Sequence, residues 1–493
     1  MISNVKKNFL YQSVYQILMV ITPLITSPYI SRILGAENIG VYNYYYSIAY
    51  YYGIFSALGI SNYGNRSIAT IRTEGKNERS NKFWEIFFMQ AIASLIVVLF
   101  FIIHLISTRD KERMNLSIEG LYILSVCLDI SWFFFGIENF KITVARSFII
   151  KLITVVSIFI FIKTSEDLYK YTFIMAAGAL ISSLVLWRYL IKVVDKPKIK
   201  ITSILPHFKP NLLLFIPVIS LAIFHYMDKI MLGMMSSMEE LGYYSNADKV
   251  INIPMGLIIS LGTVMLPRMS KLRAENEIGK VNQYLNNSII FSVWMSCALC
   301  FGIAAVAEDF IPLFFGEGFE KCTVLLQLLS PVVIIKSWSN VFKTQFLIPA
   351  HKDKEFTISV LMAAVINIIL NFQLIPILGA VGAVIGTLVA ELTVAIFYSC
   401  YASKQINILK SLAKSVPIIF IGLIMYFTIH FIKKWMFIEN YLFRIIIEII
   451  VGAIVFMGLS FVVMNLIKFQ PMEQFKVSFF KNKKRRIFKN EEK

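Results

Sequence analysis

Charge is scarce in this chain. Only 16% of its 493 residues are Asp, Glu, Lys or Arg, and 57% are hydrophobic. Soluble proteins are about a quarter charged, so the deficit excludes an ordinary water-soluble protein and points to one that crosses a membrane many times. Cysteine is also rare, with five scattered residues. Cys297 and Cys300 form one CxxC inside an apolar run. A structural zinc site takes about four ligands, so these two read as packing residues. The GxxxxGK(S/T) phosphate loop is missing, which argues against ATP hydrolysis by this chain. No connection between apolar runs is long enough to hold a soluble catalytic domain. A cleaved signal peptide is not expected. The first apolar stretch follows Lys6 and Lys7, is too long, and lacks a small-residue cleavage site.

What is present is a succession of apolar runs. A crossing helix needs about 20 such residues, and by that criterion about fourteen spans are expected. The first two lie at 8–30 and 41–60, the last two at 415–432 and 442–466. The even-numbered connections are basic: Arg66, Arg72, Lys76, Arg79 and Lys82 follow span two, and Arg268, Lys271, Arg273 and Lys280 follow span eight. The odd-numbered ones are poor in basic residues or acidic, as in SSMEELGYYS at 236–245 and AEDFIPLFFGEGFE at 307–320. Lys and Arg mark cytoplasmic loops, so both termini are expected in the cytoplasm. The net charge of +18 then reflects topology and attraction to anionic lipid. Nucleic acid is not an expected partner, because no aromatic stacking platform interleaves the charges.

The halves repeat. RILGAENIGVY at 32–42 and KIMLGMMSSMEELGYY at 229–244 share a basic residue, Ile, Leu-Gly, then Glu, an aliphatic, Gly and an aromatic. Arg32 corresponds to Lys229, Gly35 to Gly233 and Gly40 to Gly242. At nearly the same offset, Gly59 and Arg66 correspond to Gly262 and Arg268, and Ser131-Trp132 to Ser337-Trp338. Both copies of the first motif follow an outward-going span, so the repeat keeps its topology. Parallel repeats of this kind are used by transporters that rock one half against the other. The expected fold is an all-α polytopic membrane protein with two six-helix lobes, 1–195 and 211–402. Two further helices at 415–466 and a basic cytoplasmic tail at 467–493 would complete it. The segment KVVDKPKIKITSILPHFKP would link the lobes on the cytoplasmic side.

The sequence resembles the bacterial oligosaccharide-lipid flippases, the Wzx-type polysaccharide biosynthesis proteins. These belong to the superfamily that also holds multidrug and toxin extrusion transporters and the lipid II flippase. The segments that carry the resemblance are SPYISRILGAENIGVYNY at 27–44, MDKIMLG at 227–233 with LGYYSNADKV at 241–250, LPRMSKL at 266–272, ISWFFFGIENF at 130–140 and NIILNFQLIPILGAVGAVIGTLVAEL at 367–392. The resemblance implies a fourteen-helix, two-lobed transporter of the bacterial cytoplasmic membrane. It would flip undecaprenyl-diphosphate-linked sugar repeat units outward, with lipid and other polysaccharide-assembly membrane proteins as partners and no cofactor. A multidrug antiporter of the same superfamily is the alternative; such a protein would favour acidic cavity residues. A membrane polymerase or ligase is a remote one, since the outward connections are too short for a catalytic loop.

Moving a diphosphate and several sugars through lipid calls for cations, hydroxyls and aromatic faces in a sheltered cavity. Buried cations cost about 2.5–3.5 kcal/mol each on insertion scales, so they should face such a cavity or pair with acids. Arg32 and Lys229, at equivalent outer ends of spans one and seven, are candidates for the diphosphate. The alternative is that they snorkel to the interface or pair with Asp228 or a helix end. Lys151 and Lys336 sit deeper and are further diphosphate candidates. Asp129 and Glu391 are candidates for ion coupling, or else pair with a lysine or cap backbone. His225 and Asp228 are three residues apart on one helical face, where a small proton relay is conceivable. The run YNYYYSIAYYYG at 42–53 offers Tyr45, Tyr46 and Asn43, with Asn62 beyond it, as sugar contacts; interfacial belt and packing roles compete. Arg444 and Glu448, four apart, are expected to pair with each other. No metal-binding residues are expected.

Overall fold

The computed structural model describes residues 2–196 and 200–466. Their regular structure is helical, with no strand among them. In chain order the helices are α1 Ile2–Ala57, α2 Ile60–Thr70, α3 Lys76–Ser107, α4 Asp110–Cys127, α5 Ser131–Gly136, α6 Phe140–Phe161, α7 Leu168–Leu190 and α8 Phe208–Met235. There follow α9 Met238–Ala274, α10 Ile278–Phe314, α11 Glu320–Leu329, α12 Pro331–Phe342, α13 Asp353–Leu378, α14 Ala380–Ser403, α15 Ile408–Lys433 and α16 Tyr441–Leu466. Twelve helical stretches among the described residues, from Lys76–Ser107 to Tyr441–Leu466, are long and apolar enough to cross a membrane. They match expected spans three to fourteen in order. The first expected span and most of the second fall inside α1, a single run of 56 residues broken at Gly35, where φ is 75° and ψ 172°. Glycine tolerates that left-handed turn because it has no Cβ. The Leu-Gly of the first motif copy is therefore a corner within α1, whereas Leu232-Gly233 of the second copy lies inside α8. The basic tail at 467–493 and residues 197–199 of the linker lie outside the described residues.

The chain falls into two compact units. One comprises Met1–Asn246, Phe315–Gly318 and Ile368–Ala383; the other comprises Ala247–Phe314, Phe319–Asn367 and Val384–Lys493. These boundaries cut across the lobes drawn from the repeat, because α8 and the start of α9 go with the first unit.

Within the first unit the two copies of the motif meet. A methyl group added at Gly40 would overlap the carbonyl of Met238, and one added at Gly242 would overlap the carbonyl of Ala36. The repeat maps Ala36 onto Met238 and Gly40 onto Gly242, so the two contacts are copies of each other. Small residues let helix backbones approach this closely where no water competes. Elsewhere in this unit, the ends of the linker are tied to α3. Trp84 Nε1 donates to the Asp195 carbonyl at 2.8 Å, and Lys76 pairs with Asp195 at 2.6 Å. His207 bridges the Tyr63 hydroxyl at 2.5 Å and Glu85 at 3.1 Å.

In the second unit α10 packs along α12, α15 and α16. A buried charge cluster joins three of these helices. Lys433 on α15 reaches Asp309 at 3.3 Å and Glu448 at 3.4 Å, and Arg444 on α16 reaches Asp309 at 3.1 Å. Arg444 and Glu448 thus engage α10 and α15, and not each other as helical spacing suggested. Cys297 and Cys300 are buried in α10.

Candidate functional site

The adjacent charges of YMDKIMLG part company on α8. Successive residues of a helix point about 100° apart. Asp228 turns inward and is 3% exposed. Its carboxylate accepts the Tyr244 hydroxyl of α9 at 2.8 Å and the Asn371 amide of α13 at 2.6 Å. Its counterpart in the first copy, Ser31, accepts the Asn246 amide at 3.0 Å. Lys229 turns the other way and lies 5.4 Å from the centroid of the Tyr226 ring. Cation–π attraction of this kind is strongest where water is excluded.

Tyr226 continues into the tyrosine run of α1. It stacks on Tyr50 at 3.9 Å, and Tyr46 lies 6.3 Å from each of them. Tyr42 stacks on Tyr46 at 5.8 Å. Tyr42, Tyr46 and Tyr50 are four apart, so they form one helical face. The other tyrosines of the run serve different neighbours. Tyr45 is enclosed with Ala49, Phe101 and Leu116 in an apolar cluster. Tyr44 covers Gly233, and the Tyr51 hydroxyl donates to the Ala222 carbonyl at 3.2 Å.

Beside Tyr42 and Tyr46 is a cavity of about 220 Å³, walled by α1, α4, α6 and α7. Its polar lining comes from Glu119, Lys151, Ser147, Thr154 and Ser182, with Tyr122 completing the aromatic side. The structure thus brings Lys151 and Tyr46 together with Glu119, a residue the sequence reading passed over. Glu119 stands at the edge of an apolar run, where hydropathy assigns a polar residue to the connection. A signal existed: Glu119 and Tyr122 are three apart on one face of α4.

The remaining candidates have local occupations. Asp129 lies between α4 and α5, where its carboxylate accepts the Ser131 backbone N–H at 3.1 Å and also the Ser131 hydroxyl. It closes the turn that opens α5. Lys336 and Glu391 form an ion pair of 3.2 Å in the second unit, the lysine pairing named as the alternative for Glu391. Asn43 is buried and donates to the Ile39 carbonyl of its own helix at 2.7 Å. Asn62 is exposed on α2. Arg32 is exposed beside Gly316, and His225 is exposed next to Phe224. A separate apolar groove of about 410 Å³ runs between α15 and α16, lined by Val416, Phe420, Ile424 and Val462 among others.

Residues 5–273, more than half of the chain, match the model of a family described as polysaccharide biosynthesis protein. The chain belongs to this family. Among curated relatives, this polysaccharide biosynthesis protein is 22% identical to a provisionally named O-antigen transporter of Escherichia coli (strain K12), over 79% of the chain and 94% of that protein. It is 24% identical to one of Shigella dysenteriae, over 80% and 98%. Among solved structures, it resembles a lipid II flippase in an inward closed conformation, with TM-score 0.74 and 18% identity over 93% of the chain and 99% of the other. It also resembles an inward-facing multidrug resistance transporter, with TM-score 0.62 and 15% identity over 81% and 98%. At these identities the structural likenesses show a shared fold. Fold and family together describe a multi-pass membrane transporter and not an enzyme.

Proposed function

We propose that the chain carries lipid-linked oligosaccharide, an undecaprenyl-diphosphate-linked repeat unit, from the inner to the outer leaflet of the bacterial cytoplasmic membrane. Both termini lie in the cytoplasm, and the two halves of the repeat alternate access to the cargo. The family and the names of its O-antigen transporter relatives support the class of cargo. Within this chain, the observation that carries the reading is the tyrosine face of α1 and α8 with Lys229 upon it. Aromatic faces suit the apolar faces of sugar rings, and a cation held over a ring suits a diphosphate. Arg32 joins Lys229 through the repeat. Tyr46 and Tyr50 are the sugar contacts. Other membrane proteins of polysaccharide assembly receive the product.

Asp228 is the coupling carboxylate of this scheme. It is buried, held by donors from two other helices, and unlike Lys229 it has no charged counterpart in the first copy. Moving one charge through the membrane potential supplies about 2.3 kcal/mol per 100 mV, so one such group suffices to drive a cycle. His225 lies one turn away. The groove between α15 and α16 takes the polyprenyl tail while the head group crosses.

Deletion in the native host tests the reading. Lipid-linked repeat units should accumulate on the cytoplasmic face, and mass spectrometry would name their sugars. Drug sensitivity without that accumulation would favour the multidrug antiporter. In vesicles, Arg32→Gln and Lys229→Gln should slow flipping at normal protein levels. Unchanged rates in both would remove the diphosphate role. Transport by Asp228→Asn should lose its dependence on pH, Na⁺ or potential.

A further inference from the structure

We propose that Glu119 binds and releases a proton in the cavity of the first unit, opposite Lys151, at a site separate from Asp228. This goes beyond the flipping reaction proposed above and does not depend on which cargo is carried.

The geometry is specific. Glu119 lines the cavity and is 1% exposed, and its Oε1 has no hydrogen-bond partner among the described residues. An unpaired buried polar atom costs about 1–3 kcal/mol, more when charged, so its presence in a cavity wall calls for a ligand. Lys151 lines the same cavity from α6 and, among the described residues, forms no ion pair within 4.0 Å. The two charges therefore share a space without closing on each other. At about 30 Å³ of liquid per molecule, the cavity has room for roughly seven waters. Its serine, threonine and tyrosine hydroxyls give such waters partners. It is too small for a chain of sugars, and a lysine in its wall disfavours a metal cation. A proton delivered along water is the ligand that remains.

The groups around Glu119 are few. Tyr42 and Tyr46 face the cavity from α1, Tyr122 from α4 and Lys151 from α6. Arg146, also on α6, donates to the Ser182 carbonyl at 2.9 Å. From α7, Tyr171 packs against Tyr42 at 4.8 Å. From α3, Phe101 packs against Gly120. Lys151 is thus the one formal charge lining the cavity with Glu119. With Glu119 ionised the cavity is neutral overall, and α4 and α6 attract across it. With Glu119 protonated it carries one positive charge and that attraction is gone. Proton binding would in this way change the force between two helices of one unit.

Infrared difference spectra of the purified full chain in lipid nanodiscs, acid against alkaline, test this without any substrate. Wild-type protein should show a protonated-carboxyl C=O band that Glu119→Gln loses. Lys151→Gln keeps Glu119 and should move the midpoint of that band to higher pH, because a charge favouring the carboxylate is removed. Glu119→Asp should retain the band at a shifted frequency, which guards against loss of fold in the Gln variant. A band that survives at full amplitude in Glu119→Gln would place the titrating carboxyl elsewhere and overturn the proposal. So would wild-type protein with no such band, or a midpoint unmoved in Lys151→Gln.

Discussion

Two groups of buried charge, one in each unit, are held in opposite ways. In the second, Lys336 closes on Glu391, and Lys433 and Arg444 close on Asp309 and Glu448. In the first, Glu119 and Lys151 face one cavity and stay apart. Taking an ion out of water costs several kcal/mol, and a well-placed counter-charge repays most of it. A closed pair is consequently a fastener. A charge held in a cavity keeps its capacity to meet something else. The difference teaches which charges belong to architecture and which are available to a transport cycle.

The largest expected effect comes from opening the α10–α15–α16 cluster. Lys433→Met leaves Glu448 and one oxygen of Asp309 buried without their cation. Losing one partner of a buried pair costs about 3–5 kcal/mol, which should appear as a clear fall in the thermal midpoint of detergent-solubilised protein. Next is Lys336→Met, expected to cost about 3 kcal/mol. Lys336→Met with Glu391→Leu should recover most of that, since no unpaired charge remains. Lys151→Met should cost far less than Lys336→Met in the same assay, because no pair is broken. Equal losses would dissolve the contrast between the units.

A third test concerns the reciprocal glycines. Gly40→Ala and Gly242→Ala each drive a methyl into a main-chain carbonyl, and overpacking of this kind costs about 1–3 kcal/mol. Because the contacts are copies, the two losses in thermal midpoint should match. A large effect at one and none at the other would show that the repeat is only a sequence relic. The smallest effect is at the aromatic face. Tyr226→Leu removes a ring stack worth about 0.5–1.5 kcal/mol and the surface under Lys229. It should cost little stability yet reduce flipping in vesicles. Full transport in this variant would detach the tyrosine face from the cargo.

Much of this was readable beforehand, and the reasons differ by feature. Spans three to fourteen could be placed because hydrocarbon thickness demands long apolar runs, a one-dimensional property. The Leu-Gly corner at Gly35 and the glycines at 40 and 242 were visible as a repeat, although their direct contact was not. The helix break at residues 128–130, beside Asp129, was not legible because the apolar run continues across it. Arg444 and Glu448 satisfied the spacing rule for a pair, but Asp309 and Lys433 arrive from other helices and compete. Glu119 escaped because the cavity that gives it meaning is assembled from four helices.

The sequence by itself determined that this chain is a helical membrane protein, where twelve of its apolar helices run, and that a motif recurs about 200 residues apart. These follow from composition, run length and repetition, all of which are written along the chain. Only the tertiary structure decided which charges meet. Helical periodicity relates a residue to neighbours three or four positions away, and the partners that matter here, Lys336 with Glu391, Asp228 with Asn371, and Glu119 across from Lys151, come from different helices. A carboxylate's role is set by the charge or the space opposite it, and that is a property of packing.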